Sequence, residues 1–518
     1  MNGADALLAT LRANGVDTVF SNPGTSEMHF VAALDDVKDI RGVLCLFEGV
    51  ATGAADGYAR VTGTPAATLL HLGPGLGNGW ANLHNARRAR VPLINIVGDH
   101  ATYHAPLDAA LQSRMELLAE ALEGWHRRTA RADDVANDTA DAIRASFGPP
   151  GQIATLMLPA DVSWSPLSAT MLAPPVVSRP DQDEPSPHVL ERALRSLRTK
   201  RTALFLGGSA VSKEQLSLAH RISNATGCKV IMETFPTIVD RGQGVASAER
   251  LIYLSEFAQA QLKEVETLIL LGAVEPVSFF AYPNLPSTLI SDECDVVALA
   301  PPGTSTLSAL GLLVEELEAP QATIEGGERP TKPYGELTTL SFAQAIGATL
   351  PEGVIVSDES NTSGVHLLSH TQFAPEHQWM TLTGGAIGQG LPLALGAAMA
   401  SKRRVLALES DGSMMYTPQA LWTMAREGVD VTVVGLSNRS YAVLNMERQR
   451  VGAAENGSTS QRMLELDGPE LDLSAIARAQ GVDSVRVHTA EELTAALERS
   501  YATPAPMFIE AMLPKGLS

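Results

Sequence analysis

An aspartate and an asparagine, each at the end of an apolar run, are the residues of this chain best placed to do chemistry. The run Val405 to Leu408 leads into Ser410-Asp411-Gly412-Ser413, and a helical stretch, Pro418 to Gly428, follows. A second apolar run, Val431 to Leu436, ends in Ser437-Asn438-Arg439-Ser440-Tyr441, so the separation is 438 − 411 = 27 residues. Strand, helix, strand at this spacing predicts two neighbouring parallel strands, whose carboxyl ends lie side by side where ligands bind. Asp411 offers a carboxylate there, Asn438 an amide oxygen, and a backbone carbonyl near Ser440 a third oxygen. Mg²⁺ takes about six oxygens and draws the remainder from phosphates and water. Gly412 lets the backbone approach a phosphate, and Ser413 can donate to one at a helix start. A diphosphate bridged to Mg²⁺ fits this set. Singly, Asp411 reads as a helix cap and Asn438 as a turn residue; the joint pattern is much rarer by chance.

The elements that must hold these residues alternate along the whole chain. Ala4, Leu7, Leu8 and Leu11 mark an amphipathic helix that Asn14-Gly15 should stop. Val16 to Phe20 reads as a buried strand before the turn Ser21-Asn22-Pro23-Gly24, and Val43 to Phe47 as another before a helix of small residues from about Gly49 to Val61. Ala66 to Leu70, Leu93 to Val97, Ile153 to Leu158, Ala203 to Leu206, Thr267 to Leu271, Val354 to Val356 and Met507 to Ile509 are further strand-like runs. Alternating strands and helices predict parallel sheets covered on both faces. Pro166 to Pro187 and Gly326 to Gly335 read as linkers. The predicted fold is therefore α/β, with three doubly wound parallel-sheet domains at 1–165, 188–325 and 338–518.

Composition narrows the function. With 518 residues, 45% hydrophobic, the chain can bury several cores. A net charge of −20 disfavours nucleic acid and anionic lipid as partners. Cys45, Cys228 and Cys294 are sparse and odd in number, which suits a reducing cytoplasm better than a disulfide framework. The first twenty residues lack the pattern of a signal peptide, and no apolar run is long enough to cross a bilayer.

The segment from Asp411 to Asn438 resembles the thiamine-diphosphate signature, Gly-Asp-Gly followed at a fixed interval by Asn, of the family of benzoylformate decarboxylase, acetolactate synthase and pyruvate oxidase. Ser410 stands where the first Gly is usual, and Ser would not suit a turn that needs positive φ. The resemblance covers the whole chain. Asn22-Pro23-Gly24-Thr25-Ser26-Glu27 is similar to the family's first loop, and Phe47 to Arg60 to its glutamate helix. His71 to Gly79 resembles its next loop, and Thr383 to Pro392 the segment that grips the pyrimidine. The order implied is pyrimidine-binding, central and diphosphate-binding domain.

The resemblance implies roles. Glu48, at a strand end where burial favours its protonated form, would hydrogen-bond the pyrimidine, and Asn78 would contact the cofactor. The Gly385 carbonyl would accept from the 4′-amino group, and Ile387 would hold the cofactor bent. Glu359, Ser360, Asn361, Thr362 and Ser363 match a polar loop near the diphosphate, with Gly412, Ser413 and Tyr441. Metal ligands would be Asp411, Asn438 and Ser440. His71 matches a histidine that moves protons on bound intermediates, though a hydrogen-bonded structural histidine is about as common. Thr25 falls where the benzoylformate decarboxylase pattern has a serine contacting the substrate carboxylate. That pattern's second histidine has no counterpart; Val274 to Pro283 carries Phe279, Phe280 and Tyr282 instead, and with Tyr441, Val443 and Leu444 expected on the other side a fairly apolar pocket is predicted.

The implied activity is Mg²⁺- and thiamine-diphosphate-dependent decarboxylation of a 2-oxo acid, or carboligation with an aldehyde or second oxo acid, through an enamine. A 2-hydroxyacyl-CoA lyase, an oxalyl-CoA decarboxylase and an inactive cofactor-binding subunit are the rival readings. Gly207-Gly208-Ser209 is a weak glycine loop, and FAD is not expected. A homodimer or homotetramer is implied, since pyrimidine and diphosphate domains of different subunits meet in the family.

Overall fold

The computed structural model describes every residue except 170, 172, 325, 454–457 and 516–518. Two compact units make up the chain. The first comprises Met1–Arg179, Arg329–Ala374 and Gly384–Ser518; the second comprises Pro180–Glu328 and Pro375–Thr383.

The first unit opens on the helix Gly3–Ala13, started by a capping box between Asn2 and Asp5 and ended at Asn14. Leu7, Leu8 and Leu11 are fully buried on its inner stripe. The first strand is Thr18–Asn22, displaced from the predicted Val16 to Phe20. The reason is local: the Val16 N–H closes the helix end by donating to the Leu11 carbonyl, so sheet pairing begins only at Thr18 against Arg41. The next strand, Arg41–Leu44, also ends earlier than predicted, because Phe47 is the extended residue that starts the helix Glu48–Thr62. This sheet has the order Arg41–Leu44, Thr18–Asn22, Ala66–His71, Leu93–Asp99, Ile153–Pro159, His126–Arg128, with every pair parallel.

The second sheet of this unit runs Asp483–Val487, Met507–Met512, Val431–Ser437, Val405–Ser410, Ile355–Glu359, again parallel throughout. Its strands reach one to three residues past the apolar runs seen in sequence, because backbone pairing continues through Ser410 and Ser437, where the side chains turn polar. Glu48–Thr62 packs against Gly390–Ser401 at glycine-only distance. A Cβ on Gly57 would lie 2.1 Å from the Leu393 carbonyl oxygen, and one on Gly396 would lie 1.8 Å from that of Ala54. Buried in the same helix, Arg60 grips Asp56 through two 2.9 Å bonds, and Gln389 donates to Asp56 at 2.6 Å.

The second unit carries a parallel sheet in the order Glu249–Arg250, Lys229–Met232, Thr202–Leu206, Thr267–Leu271, Asp295–Ala300. It also holds an antiparallel pair, Ile238–Arg241 with His377–Thr381, which the all-parallel expectation did not include. At the Gly207-Gly208 turn the chain supplies its own anion: the Gly208 N–H donates to Glu233 Oε1 at 3.3 Å. Phe279 packs among Phe235, Tyr253 and Phe280, with ring centroids 5.4, 5.2 and 5.9 Å away. Cys45, Cys228 and Cys294 are free, and burial pushes the Cys45 thiol up to about 12. Among the described residues no helix is long and apolar enough to cross a membrane.

Candidate active site

Parallel register brings the first constellation together. Ser410 pairs with Leu436 across adjacent strands, so Asp411 and Asn438 leave the sheet at the same edge. Asp411 is 2% exposed; its Oδ1 accepts from Gly412 N–H at 2.8 Å and its Oδ2 from Arg439 N–H at 2.6 Å. Burial pushes its carboxyl up to about 6, against the pull of those N–H groups and of the Arg439 guanidinium. The guanidinium itself donates to the Leu513 carbonyl at 3.0 Å. Asn438 Oδ1 accepts from Ser440 N–H at 3.0 Å. A buried carboxylate that takes no side-chain hydrogen bond from a cation among the described residues, beside an amide oxygen, suits a divalent ion. Gly412 lets the Tyr441 ring pack closely against the turn: a Cβ there would lie 2.4 Å from it.

Ser410 proves compatible with its place. Its φ of −72° and ψ of 149° are extended, so no positive φ is asked of it. Its hydroxyl donates to the Glu359 carbonyl at 2.8 Å and accepts from Asn361 Nδ2 at 2.6 Å. Asn361 also donates to Ser413 Oγ at 3.1 Å, and the Ser360 hydroxyl to Asp358 at 2.5 Å. The polar loop therefore meets the Asp411 turn through side chains that sequence spacing did not pair.

The loop Gly384–Gly390 is clamped from two sides. Helix Leu72–Ala89 supplies Asn85, whose amide donates to the Ala386 carbonyl at 2.8 Å and accepts its N–H at 3.2 Å. The same helix supplies Asn82, donating to the carbonyls of both Gly49 (2.8 Å) and Gly388 (3.2 Å). From the opposite side, Glu359 accepts the N–H of Gly388 at 2.7 Å and of Gly390 at 2.6 Å. Both Glu359 oxygens are thus used on the loop, so Glu359 holds that loop instead of presenting its carboxylate. Burial pushes Glu359 up to about 7. Gly385 and Gly388 take φ of 74° and 93°, which Ile387 between them could not adopt cheaply. Ile387 is half-buried.

At the first sheet, Glu48 begins its helix 8% exposed, and Asn78 donates to its Oε2 at 3.0 Å. His71 ends the third strand with Nδ1 2.8 Å from Glu27 Oε2. Thr25 is exposed at the head of the turn Thr25–Glu27. Backbone strain collects at these strand ends: Leu72, Asn361 and Arg439, directly after His71, Ser360 and Asn438, have φ of 50°, 50° and 57°. Non-glycine residues enter that region at a cost and do so often beside functional groups.

Sequence reasoning missed Asn82, Asn85, the Glu27 contact and Glu409. Glu409 is fully buried, and neither carboxyl oxygen has a hydrogen-bond partner among the described residues. Burial, with Glu359 and Asp358 close by, pushes it far above the ordinary carboxyl range and holds it neutral. A charged letter within an otherwise apolar strand, two residues before Asp411, was the available signal.

Residues 1–120 match the thiamine pyrophosphate enzyme N-terminal TPP binding domain, and residues 362–511 match the C-terminal TPP binding domain. A Mycobacterium tuberculosis protein carrying the name acetolactate synthase large subunit IlvX is 51% identical over 517 residues, covering 99% of each chain. The chain belongs to the thiamine pyrophosphate enzyme family. Benzoylformate decarboxylase of Pseudomonas aeruginosa is 30% identical over 533 residues, covering 96% of each. The solved 4-hydroxybenzoylformate decarboxylase of Rhodococcus jostii shares the fold over 100% of both chains, with a TM-score of 0.85 at 23% identity. Family membership makes thiamine diphosphate the cofactor.

Proposed function

We propose that this chain binds thiamine diphosphate with Mg²⁺ and decarboxylates a 2-oxo acid, either releasing the aldehyde or joining the fragment to a second carbonyl. The observation that carries the reading is the Asp411 carboxylate, buried beside Asn438 at a parallel-sheet edge, in a chain whose relatives are named as acetolactate synthase and benzoylformate decarboxylase. The cofactor, when bound, supplies a nucleophilic carbon and an electron sink.

The protein's part is to bind, orient and move protons. Asp411, Asn438 and the Ser440 carbonyl would hold Mg²⁺, and Gly412 and Ser413 would meet the diphosphate. Glu48 would hydrogen-bond the pyrimidine, with Asn78 fixing its carboxyl. The Gly385 carbonyl and Ile387 would set the pose of the rings. Thr25 would orient the substrate carboxylate, and the second nitrogen of His71 would carry a proton to or from the reacting carbon. An intersubunit site in a cytoplasmic homodimer or homotetramer completes the proposal.

The test is protein stripped of cofactor, then reconstituted with thiamine diphosphate and Mg²⁺ and screened by mass spectrometry. Pyruvate, benzoylformate and aldehydes are offered, with a 2-hydroxyacyl-CoA in a separate arm. Release of CO₂ with aldehyde or acyloin product supports the reading. Turnover of the thioester alone, or cofactor retention without any turnover, would overturn it.

A further inference from the structure

His71 does not stand alone at its strand end. Glu27 is 2% exposed, and its Oε2 lies 2.8 Å from His71 Nδ1 while also accepting the Gly24 N–H at 2.7 Å. The other oxygen, Oε1, is buried without a hydrogen-bond partner among the described residues, close against Gly98 of the neighbouring strand. A Cβ on Gly98 would lie 1.7 Å from that oxygen, and a Cβ on Gly24 would lie 2.3 Å from the His71 ring. Leu72, fully buried, takes the strained φ of 50° that turns the chain immediately after His71. Two glycines and one strained leucine thus surround a single carboxyl–imidazole contact. A carboxyl buried with so few partners is costly, and a contact kept at such cost calls for a use.

We propose that Glu27 is the positioning residue of His71. Its carboxylate accepts the Nδ1–H, which fixes the tautomer and the ring plane and leaves Nε2 as the nitrogen that exchanges a proton with substrate. A base oriented by a third group is a general device of proton-transfer sites, and the metal-free partner of an imidazole sets which nitrogen is protonated. Glu27, at 2% exposure, would act only through His71. The inference rests on the proton-carrying role given to His71 above.

The experiment combines kinetics with a readout that needs no turnover. Protein labelled with ¹⁵N-histidine, and assigned with His71→Ala, should show the His71 ring as the Nδ1–H tautomer. Glu27→Ala should scramble that signal, and Glu27→Gln, whose amide oxygen still accepts, should preserve it. In the holoenzyme Glu27→Ala should lower kcat about as far as His71→Ala does, on the order of 10²–10⁴-fold for a lost acid–base group, with KM and cofactor Kd changed less than threefold. Glu27→Gln should recover most of the loss. The double variant should be no slower than His71→Ala. Losses that multiply in the double variant, or a tautomer unmoved by Glu27→Ala, overturn the proposal. If Glu27→Ala does not fold, Glu27→Gln decides: a scrambled tautomer in that variant counts against the proposal. If wild-type protein turns over no oxo acid, the proposed function fails while the tautomer measurement still decides the Glu27 contact.

Discussion

Replacing Glu359 by glutamine isolates the clamp on the loop Gly384–Gly390. In the wild type the carboxylate accepts two buried N–H groups, from Gly388 at 2.7 Å and Gly390 at 2.6 Å. Glutamine has one acceptor oxygen, so one bond survives as a neutral bond and the other N–H meets an NH₂ group. A hydrogen bond to a charged group is worth roughly 1.5–3 kcal/mol, and a buried donor left unmet costs about 1–3 kcal/mol. A net loss of about 2–3 kcal/mol in loop positioning corresponds to a thiamine diphosphate Kd roughly 30- to 150-fold weaker. Titration of the cofactor at saturating Mg²⁺, followed by calorimetry, measures it, and a melt without cofactor controls for general unfolding. A Kd within twofold of wild type, in a protein with an unchanged melt, would refute the idea that Glu359 sets this loop.

Three further outcomes are expected. Asp411→Ala should abolish Mg²⁺-dependent retention of thiamine diphosphate on gel filtration while leaving the far-ultraviolet dichroism intact; metal-dependent retention at the wild-type level would remove Asp411 from the site. Arg60→Met should destabilise the first unit by about 3–5 kcal/mol, because it removes the cation paired with the fully buried Asp56 carboxylate; a denaturation midpoint indistinguishable from wild type would refute that dependence. His377, in the second unit, is held down to about 4 by burial, against an ordinary 6.5. A depressed pKa makes the unfolded chain bind the extra proton between those values, so stability is full above pH 6.5 and is lost as pH falls toward 4, by about 3 kcal/mol in total. His377→Phe should flatten that acid limb, and an unchanged slope between pH 6.5 and 4 would refute it.

The sequence by itself determined the alternation of strand and helix, and with it the parallel sheets. An apolar run is buried on both faces only in a sheet covered by helices, and that burial is written in every residue of Val405 to Leu408. It also determined that Asp411 and Asn438 share an edge, since parallel strands joined by one short helix must finish together. Strand ends such as Val16 to Phe20 were misplaced because pairing follows backbone hydrogen bonds, which side-chain letters do not carry. Ser410 read as a departure until its φ was known. What only the tertiary structure decided are contacts between groups far apart in the chain: Glu27 with His71, Asn85 with Ala386, Glu359 with the loop it clamps. Each depends on an approach of a few ångströms set by packing, at glycines such as Gly98, where one added methyl group would close the gap. Such distances arise from the summed geometry of whole elements, and no local pattern of residues encodes them.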